Sequence, residues 1–207
     1  MSIGPDIKEA LNDVGTSFTI LLPIPIPITE SEKLVSKGNA QATKPFIREF
    51  FLEATLAYDT QAIAGAVIKT TASAIPYLVM NKTPNIFEDE VIEYKAVLYK
   101  CNVSGEILRI SGESEWNAQY QKMPVFQVIR ANAYALQTEV LAGSGILVDQ
   151  EIGAISTDRQ DLYVPSYYQI KELDRYQTVS GENYLVKAVK KRLYDNIDVC
   201  ELIPDQR

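Results

Sequence analysis

The chain has 207 residues, 46% hydrophobic and 23% charged, room for one large domain or two of roughly 100 residues each. That balance is ordinary for a globular protein and excludes disorder of the whole chain. A formal net charge of −7 and a pI of about 4.8 disfavour free DNA or anionic lipid as a major partner, because phosphate binding needs a basic surface.

In chain order, Asp6-Ile7-Lys8-Glu9 has the form of a capping box. Ile7, Ala10, Leu11 and Val14 follow at helical spacing, and Gly15 is a natural stop. A short helix is predicted over 6–14, serving either as a lid on its own barrel or as a contact with a neighbouring subunit. Phe18, Ile20 and Leu22 then alternate as in a half-buried strand.

That strand runs into Pro23-Ile24-Pro25-Ile26-Pro27-Ile28, where alternate prolines remove every second amide donor. An extended segment near polyproline II is expected, either a connector lying on its own domain or an arm docking on an adjacent protomer. Thr29-x-x-Glu32 resembles a second capping box, which predicts a short helix to Lys37 before Gly38. Residues 23–45 thus read as one long excursion, with Ile24, Pro25, Ile26, Pro27 and Ile28 as candidate subunit contacts.

The β signal is strong from Phe50 onward. Phe50, Leu52, Ala54, Leu56 and Tyr58 alternate with Phe51, Glu53, Thr55, Ala57 and Asp59. Val67-Ile68-Lys69 and Tyr77-Leu78-Val79-Met80 are short strands, and Val91 to Cys101 is one long strand rich in Val, Ile and Tyr. Asn102, Ser104, Gly105, Ser111, Gly112, Ser114 and Asn117 make 102–124 a linker candidate. Trp116 lies inside it, to be tucked against a domain or to serve as a partner contact. A long strand is expected from Val125 to Thr138, then a loop over 142–160 containing Gly143-Ser144-Gly145. Strands at Leu162–Val164, Gln169–Leu173, Tyr184–Val189 and Ile197–Ile203 complete the chain. Two β units result, 16–101 and 125–207, with 1–15 as the helical segment.

The halves share an order of landmarks. Asp59, Gln61 and Gly65 precede Tyr77-Leu78-Val79 and a strand closing at Cys101. Asp174, Gln177 and Gly181 precede Tyr184-Leu185-Val186 and a strand closing at Cys200. Each unit is expected to be a small antiparallel sheet that curls into a barrel or sandwich to bury one face.

Little in the chain points to chemistry. Histidine is absent, which removes the commonest general base and metal ligand. Carboxylate or lysine chemistry stays open as the weaker class. The two cysteines fit no metal spacing and read as reduced and buried. Gly143-Ser144-Gly145 lacks the Gly-Lys-Ser/Thr of a phosphate loop and reads as a hairpin tip. Glu88-Asp89-Glu90 lacks the spacing of a calcium loop and reads as a solvated acidic turn; Asp158 and Asp161 are read likewise. Lys187, Lys190, Lys191 and Arg192 form a basic cluster beside Tyr184 and Tyr194. It is a subunit-contacting or solvated hairpin or, as an alternative, part of a tandem-barrel module for single-stranded nucleic acid. No cofactor and no metal are expected. No stretch approaches the roughly 20 apolar residues that span a bilayer, and Met1 to Asp6 lacks the pattern of a secretory signal.

Two stretches resemble head–tail joining proteins of tailed bacteriophages. One runs from Thr43-Lys44-Pro45-Phe46-Ile47-Arg48-Glu49 through Tyr77-Leu78-Val79-Met80 to Val97-Leu98-Tyr99. The other runs from Leu173-Asp174-Arg175-Tyr176 through Gly181-Glu182-Asn183-Tyr184-Leu185-Val186 to Lys190-Lys191-Arg192. The resemblance implies a non-enzymatic virion protein assembled in the host cytoplasm, forming a homo-oligomeric ring at the neck, of head-closure or adaptor type. Portal, neck or tail proteins would be its neighbours, with a minor tail or tail-terminator role as the alternative. Genomic DNA would pass through the lumen without sequence-specific binding, eased by the acidic balance. Trp116, the Gly143-Ser144-Gly145 tip and the Lys190-Lys191-Arg192 cluster join the proline segment as candidate interface residues.

Overall fold

The computed structural model describes residues 3–21, 28–37, 51–72, 74–116, 119–120, 122–139, 160–205 and 207, with the backbone alone at 28–37, 113 and 139. It begins with α1 (Ile3–Val14). Six strands follow: β1 (Thr16–Leu21), β2 (Ile28–Lys37), β3 (Phe51–Ala57), β4 (Val67–Thr70), β5 (Pro76–Phe87) and β6 (Glu90–Lys100). They close in the order β1-β2-β3-β6-β5-β4, since β1 pairs antiparallel with both β2 and β4. A second six follows directly: β7 (Val103–Trp116), β8 (Lys122–Glu139), β9 (Gln160–Pro165), β10 (Arg175–Thr178), β11 (Asn183–Tyr194) and β12 (Ile197–Pro204). Their order, β7-β8-β9-β12-β11-β10, is the same topology repeated, closed by β7 pairing with β10. The fold is mainly β, in two tandem barrels with one short N-terminal helix. Closure removes the bare edges that an open sheet would present.

The ladders give the correspondence between the barrels. Leu78 pairs with Tyr99 and Val79 with Leu98; Leu185 pairs with Ile203 and Val186 with Leu202. Tyr77-Leu78-Val79 and Tyr184-Leu185-Val186 are therefore equivalent, as the sequence suggests. The other landmarks slip. The amide of Gly65 donates to Val79 O at 2.8 Å, as that of Leu173 does to Val186 O at 2.8 Å. Gly65 thus corresponds to Leu173, Asp174 to Ala66, and Gly181 lies in a different turn. The amide of Cys101 donates to Pro76 O as that of Asp205 does to Asn183 O. The cysteines are therefore not equivalent, and Cys200 matches Ala96.

Each barrel has its own apolar filling. Phe18, Ile20, Leu56, Ile68, Val79 and Leu98 fill the first. Ile107, Leu162, Val164, Tyr176, Val186 and Leu202 fill the second. The register matches Phe18 to Gly105 and Ile68 to Tyr176, so a lost ring on one strand is balanced by a gained ring on its neighbour. Gly105 is required there, because a Cβ would collide with Gln177 O. The Tyr176 hydroxyl donates to Ala133 O at 3.0 Å, so the ring brings a satisfied hydroxyl into the core.

Helix α1 lids its own barrel, packing on β2, β3 and β6. Gly4 lies against the Tyr58 ring, Lys8 pairs with Asp59 at 2.6 Å, and Leu11 is buried. Val14, expected on the buried face, is 75% exposed. Among the described residues no helix is long and apolar enough to cross a membrane.

Three further expectations are corrected. Residues 29–37 are strand, not helix: β2 bonds to β1 on one side and β3 on the other, a two-sided ladder that outweighs a local cap. That part of the excursion is barrel wall. Residues 103–116 and 122–124 are not linker but β7 and the start of β8. They read as linker because the outer part of this hairpin has no further strand neighbour and so carries no apolar alternation; Gly112, at φ +86, sits within a register shift. Residues 169–173 are a turn rather than a strand. Gln169 and Leu173 have φ of 54 and 70, and the Asp174 carboxylate accepts from the Lys171 amide at 2.8 Å.

Candidate assembly interface

The two barrels meet through a third apolar cluster. The first contributes Val67, Leu78, Met80, Tyr99 and Cys101, and the second Leu136, Tyr163, Ile197 and Val199. Phe51 and Tyr99 meet edge to face at 5.6 Å, as do Tyr163 and Tyr194 at 5.9 Å. Polar bonds fix the angle: Lys69 Nζ donates to the Tyr134 hydroxyl at 2.7 Å, and the Tyr167 hydroxyl donates to Leu21 O at 2.6 Å. The turn between β11 and β12 comes down on Gly65, where a Cβ would collide with Asn196 O.

This docking is not repeated at the outer faces. On the second barrel, Arg175 stands where the first has Val67, and Asp205 where it has Cys101. Arg175 pairs with Asp205 at 2.8 Å and lies 3.9 Å from the centre of the Phe126 ring, and Arg207 also pairs with Asp205, at 2.9 Å. On the first barrel, Thr55 stands for Tyr163 and Lys95 for Val199. They line a small polar groove with Glu53, Asn81 and Thr83. One apolar joint thus holds two barrels, and the equivalent outer surfaces are charged or polar. Capped ends of this kind stop a repeat from stacking further.

Two hairpins run past the walls. Strand β4 pairs with β5 as far as Leu78, and Val79 still bonds to Gly65 and Ala66; from Asn81 to Phe87 the strand ladder of β5 is to β6. Their turn holds Glu88 and Asp89 at φ 46 and 63, with Ile86 60% and Phe87 47% exposed just before it. Strand β10 covers β7 only at 105–108, leaving 109–116 and 122–128 as a two-stranded arm. Trp116, near its end, is 64% exposed, with Lys122 Nζ 5.4 Å from its ring. It is not tucked against a domain. Tyr120, Met123 and Val128 on the same arm are also exposed.

Of the other sequence candidates, Ile28 opens β2 and bonds through its backbone opposite Ile20. Ile24, Pro25, Ile26, Pro27, Gly143, Ser144 and Gly145 lie outside the described residues. Lys190, Lys191 and Arg192 fall in β11, where the ladder to β12 skips between Lys190 and Tyr194 and Arg192 has φ 73. Lys191 and Arg192 are exposed, while Lys187 pairs with Glu201 at 3.3 Å. Tyr194 is half-buried, packed against the joint between barrels and edge to face with Tyr163. A groove of about 480 Å³ opens beside the bulge, lined by Met80, Asn81 and Val97 of the first barrel and Arg192, Leu193, Tyr194 and Asp195 of the second. The sequence did not reveal it, because its walls come from strands far apart in the chain.

No group of three His, Cys, Asp or Glu among the described residues is placed to hold a metal ion. Both cysteines are free and buried; burial pushes the Cys101 thiol up to about 12 and raises that of Cys200 as well. Arg109 clasps Asp174 through Nε and Nη2 at 2.8 Å each, a bond that holds the 169–174 turn against β7. No family model, curated protein or solved structure matches the chain.

Proposed function

We propose that this chain is a non-enzymatic structural protein of a tailed-phage virion, a ring subunit at the head–tail junction that links portal and head to tail and lets DNA pass. The observation that carries the reading is the pair of hairpins reaching past the barrel walls with bare apolar side chains, Ile86 and Phe87 on one, Trp116, Tyr120 and Met123 on the other. A two-stranded ribbon in water is marginal by itself, and exposed apolar groups at its tip favour burial against another surface. The tandem barrels give a stiff body from which such arms reach, and the resemblance over 43–99 and 173–192 supplies the setting. The acidic balance suits a lumen through which DNA slides rather than sticks.

The test is quantitative mass spectrometry of purified virions. The chain is expected at a copy number that matches a closed ring, and antibody labelling is expected to mark the neck. Its absence from virions, or a copy number in the hundreds as for a shell protein, would overturn the proposal.

A further inference from the structure

The geometry points to a head-to-tail contact between copies, in which the β5–β6 tip of one chain enters the groove beside the β11 bulge of the next. The two surfaces match in shape and in charge. The tip is convex and carries Ile86 and Phe87, followed by Glu88, Asp89 and Glu90, all exposed. The groove, about 480 Å³, presents Met80, Val97 and Leu193 as apolar walls, ample for a phenylalanine ring. Its lining carries one base, Arg192, and one acid, Asp195, and Lys190 and Lys191 stand just before Arg192 on the same strand, so the bulge beside the groove is net basic. Apolar side chains seated inside and opposite charges at the rim are the anatomy of a specific contact.

A chain cannot fill its own groove this way. Asn81, on the groove wall, and Phe87, at the tip, are six residues apart on one continuous strand, hence roughly 20 Å apart in extended backbone. The tip points away from the groove of its own molecule, so the occupant is a second copy. Tip and groove are different surfaces, so the contact is heterologous and generates a ring if the rotation closes. The capped outer faces fit this division: the apolar joint is used once, within the chain, and contacts between chains are left to the hairpins. The inference rests on the ring reading above for closure, and it names the surfaces that make the ring.

Charge exchange tests it. One variant carries Glu88→Lys, Asp89→Lys and Glu90→Lys; a second carries Lys190→Glu, Lys191→Glu and Arg192→Glu. All six positions are on hairpin surfaces, and unchanged thermal melting verifies that each variant folds. In sedimentation and light scattering, the wild-type chain is expected to self-associate, less so as salt rises. Each variant alone is expected to weaken association roughly hundredfold or more, since like charges then face each other. An equimolar mixture is expected to restore assembly, because each tip then meets a groove of opposite sign. A wild-type chain that stays monomeric at every concentration overturns the contact. So do variants that assemble like wild type, or a mixture that is not rescued. A chain found at ring copy number in virions whose variants still assemble leaves the ring reading standing and removes only this interface.

Discussion

Gly65 and Leu173 hold the same place in the two barrels, each with a left-handed backbone (φ 82 and 70) and each donating its amide to the equivalent valine. Only Gly65 lies under the other barrel. A Cβ there would collide with Asn196 O, whereas Leu173 is 62% exposed. The two positions therefore separate backbone strain from close approach. Gly65→Ala is expected to destabilise by about 2 kcal/mol or more, combining the left-handed penalty with steric overlap at the joint. Leu173→Gly removes only the penalty and is expected to be neutral or to stabilise by up to about 1 kcal/mol, offset by the entropy that glycine adds to the unfolded chain. Urea midpoints on both variants check this; equal effects of either sign would show that the joint does not constrain Gly65.

The outer face of the second barrel predicts an acid response. The Asp205 side chain is 1% exposed. Burial alone would raise its pKa, but hydrogen bonds from Arg207 and Arg175 outweigh that and hold the carboxyl well below the usual range. A carboxyl depressed on folding contributes stability that is present above its unfolded pKa, about 4, and is lost as pH falls toward the folded value. Asp205→Asn is expected to cost about 1.5–3 kcal/mol at pH 7, the range for a charged hydrogen bond. The gap between variant and wild type is expected to narrow as pH drops below about 4. Denaturation midpoints between neutral and acid pH measure it, and a gap that stays constant would remove Asp205 from the acid limb.

What the sequence made legible follows from what is local. Alternation in 50–58 and the Tyr-Leu-Val signatures mark strands because one face of each fills a barrel, and that pattern survives without knowledge of the partner strand. The landmarks that failed depend on register. Asp174 looks like the partner of Asp59, yet it matches Ala66, because turn lengths differ between the halves and only the ladders reveal the offset. Thr29 to Lys37 carries a helix start that a two-sided ladder overrides. Residues 109–116 and 122–124 resemble a linker because the part of the hairpin beyond β10 needs no apolar stripe. Lys190 to Arg192 and the acidic turn are visible in the sequence as charge runs. The groove beside Arg192 is not, being built by β5, β6 and β11 together. One signal was available: Ile86 and Phe87 stand next to an acidic turn, where a solvated hairpin has no use for a phenylalanine.

The cysteines give a check on the compactness of both barrels. Cys101 sits in the joint between barrels and Cys200 in the core of the second. Burial holds both as thiols, with Cys101 pushed up to about 12, and the thiolate is the reactive form. Iodoacetamide at pH 8 is expected to leave both unmodified in the folded protein and to label both in denaturant. Labelling of Cys101 alone under mild denaturant would indicate that the joint opens before the barrels unfold. Rapid native labelling of either would contradict the packing.

Trp116 is the one tryptophan of the chain and stands 64% exposed near the end of the β7–β8 arm. Its emission therefore reports on the arm without interference from another indole. In the isolated chain a red-shifted spectrum is expected, readily quenched by iodide and little changed by unfolding. If the arm seats against another protein in the virion neck, the emission is expected to move to the blue and the quenching to fall on assembly, since the indole then leaves water. Trp116→Ala is expected to leave the melting temperature within the small range of surface substitutions, about 0.5 kcal/mol in stability. In an interface it is expected to weaken association by 2 kcal/mol or more, about thirtyfold, because buried tryptophan anchors dominate such contacts. The two readouts divide the cases. A blue-shifted, unquenchable spectrum in the isolated chain would mean that the arm folds back on its own barrel. An unchanged spectrum in a fully assembled ring would assign the contacts to the β5–β6 tip and leave the arm free for a different neighbour.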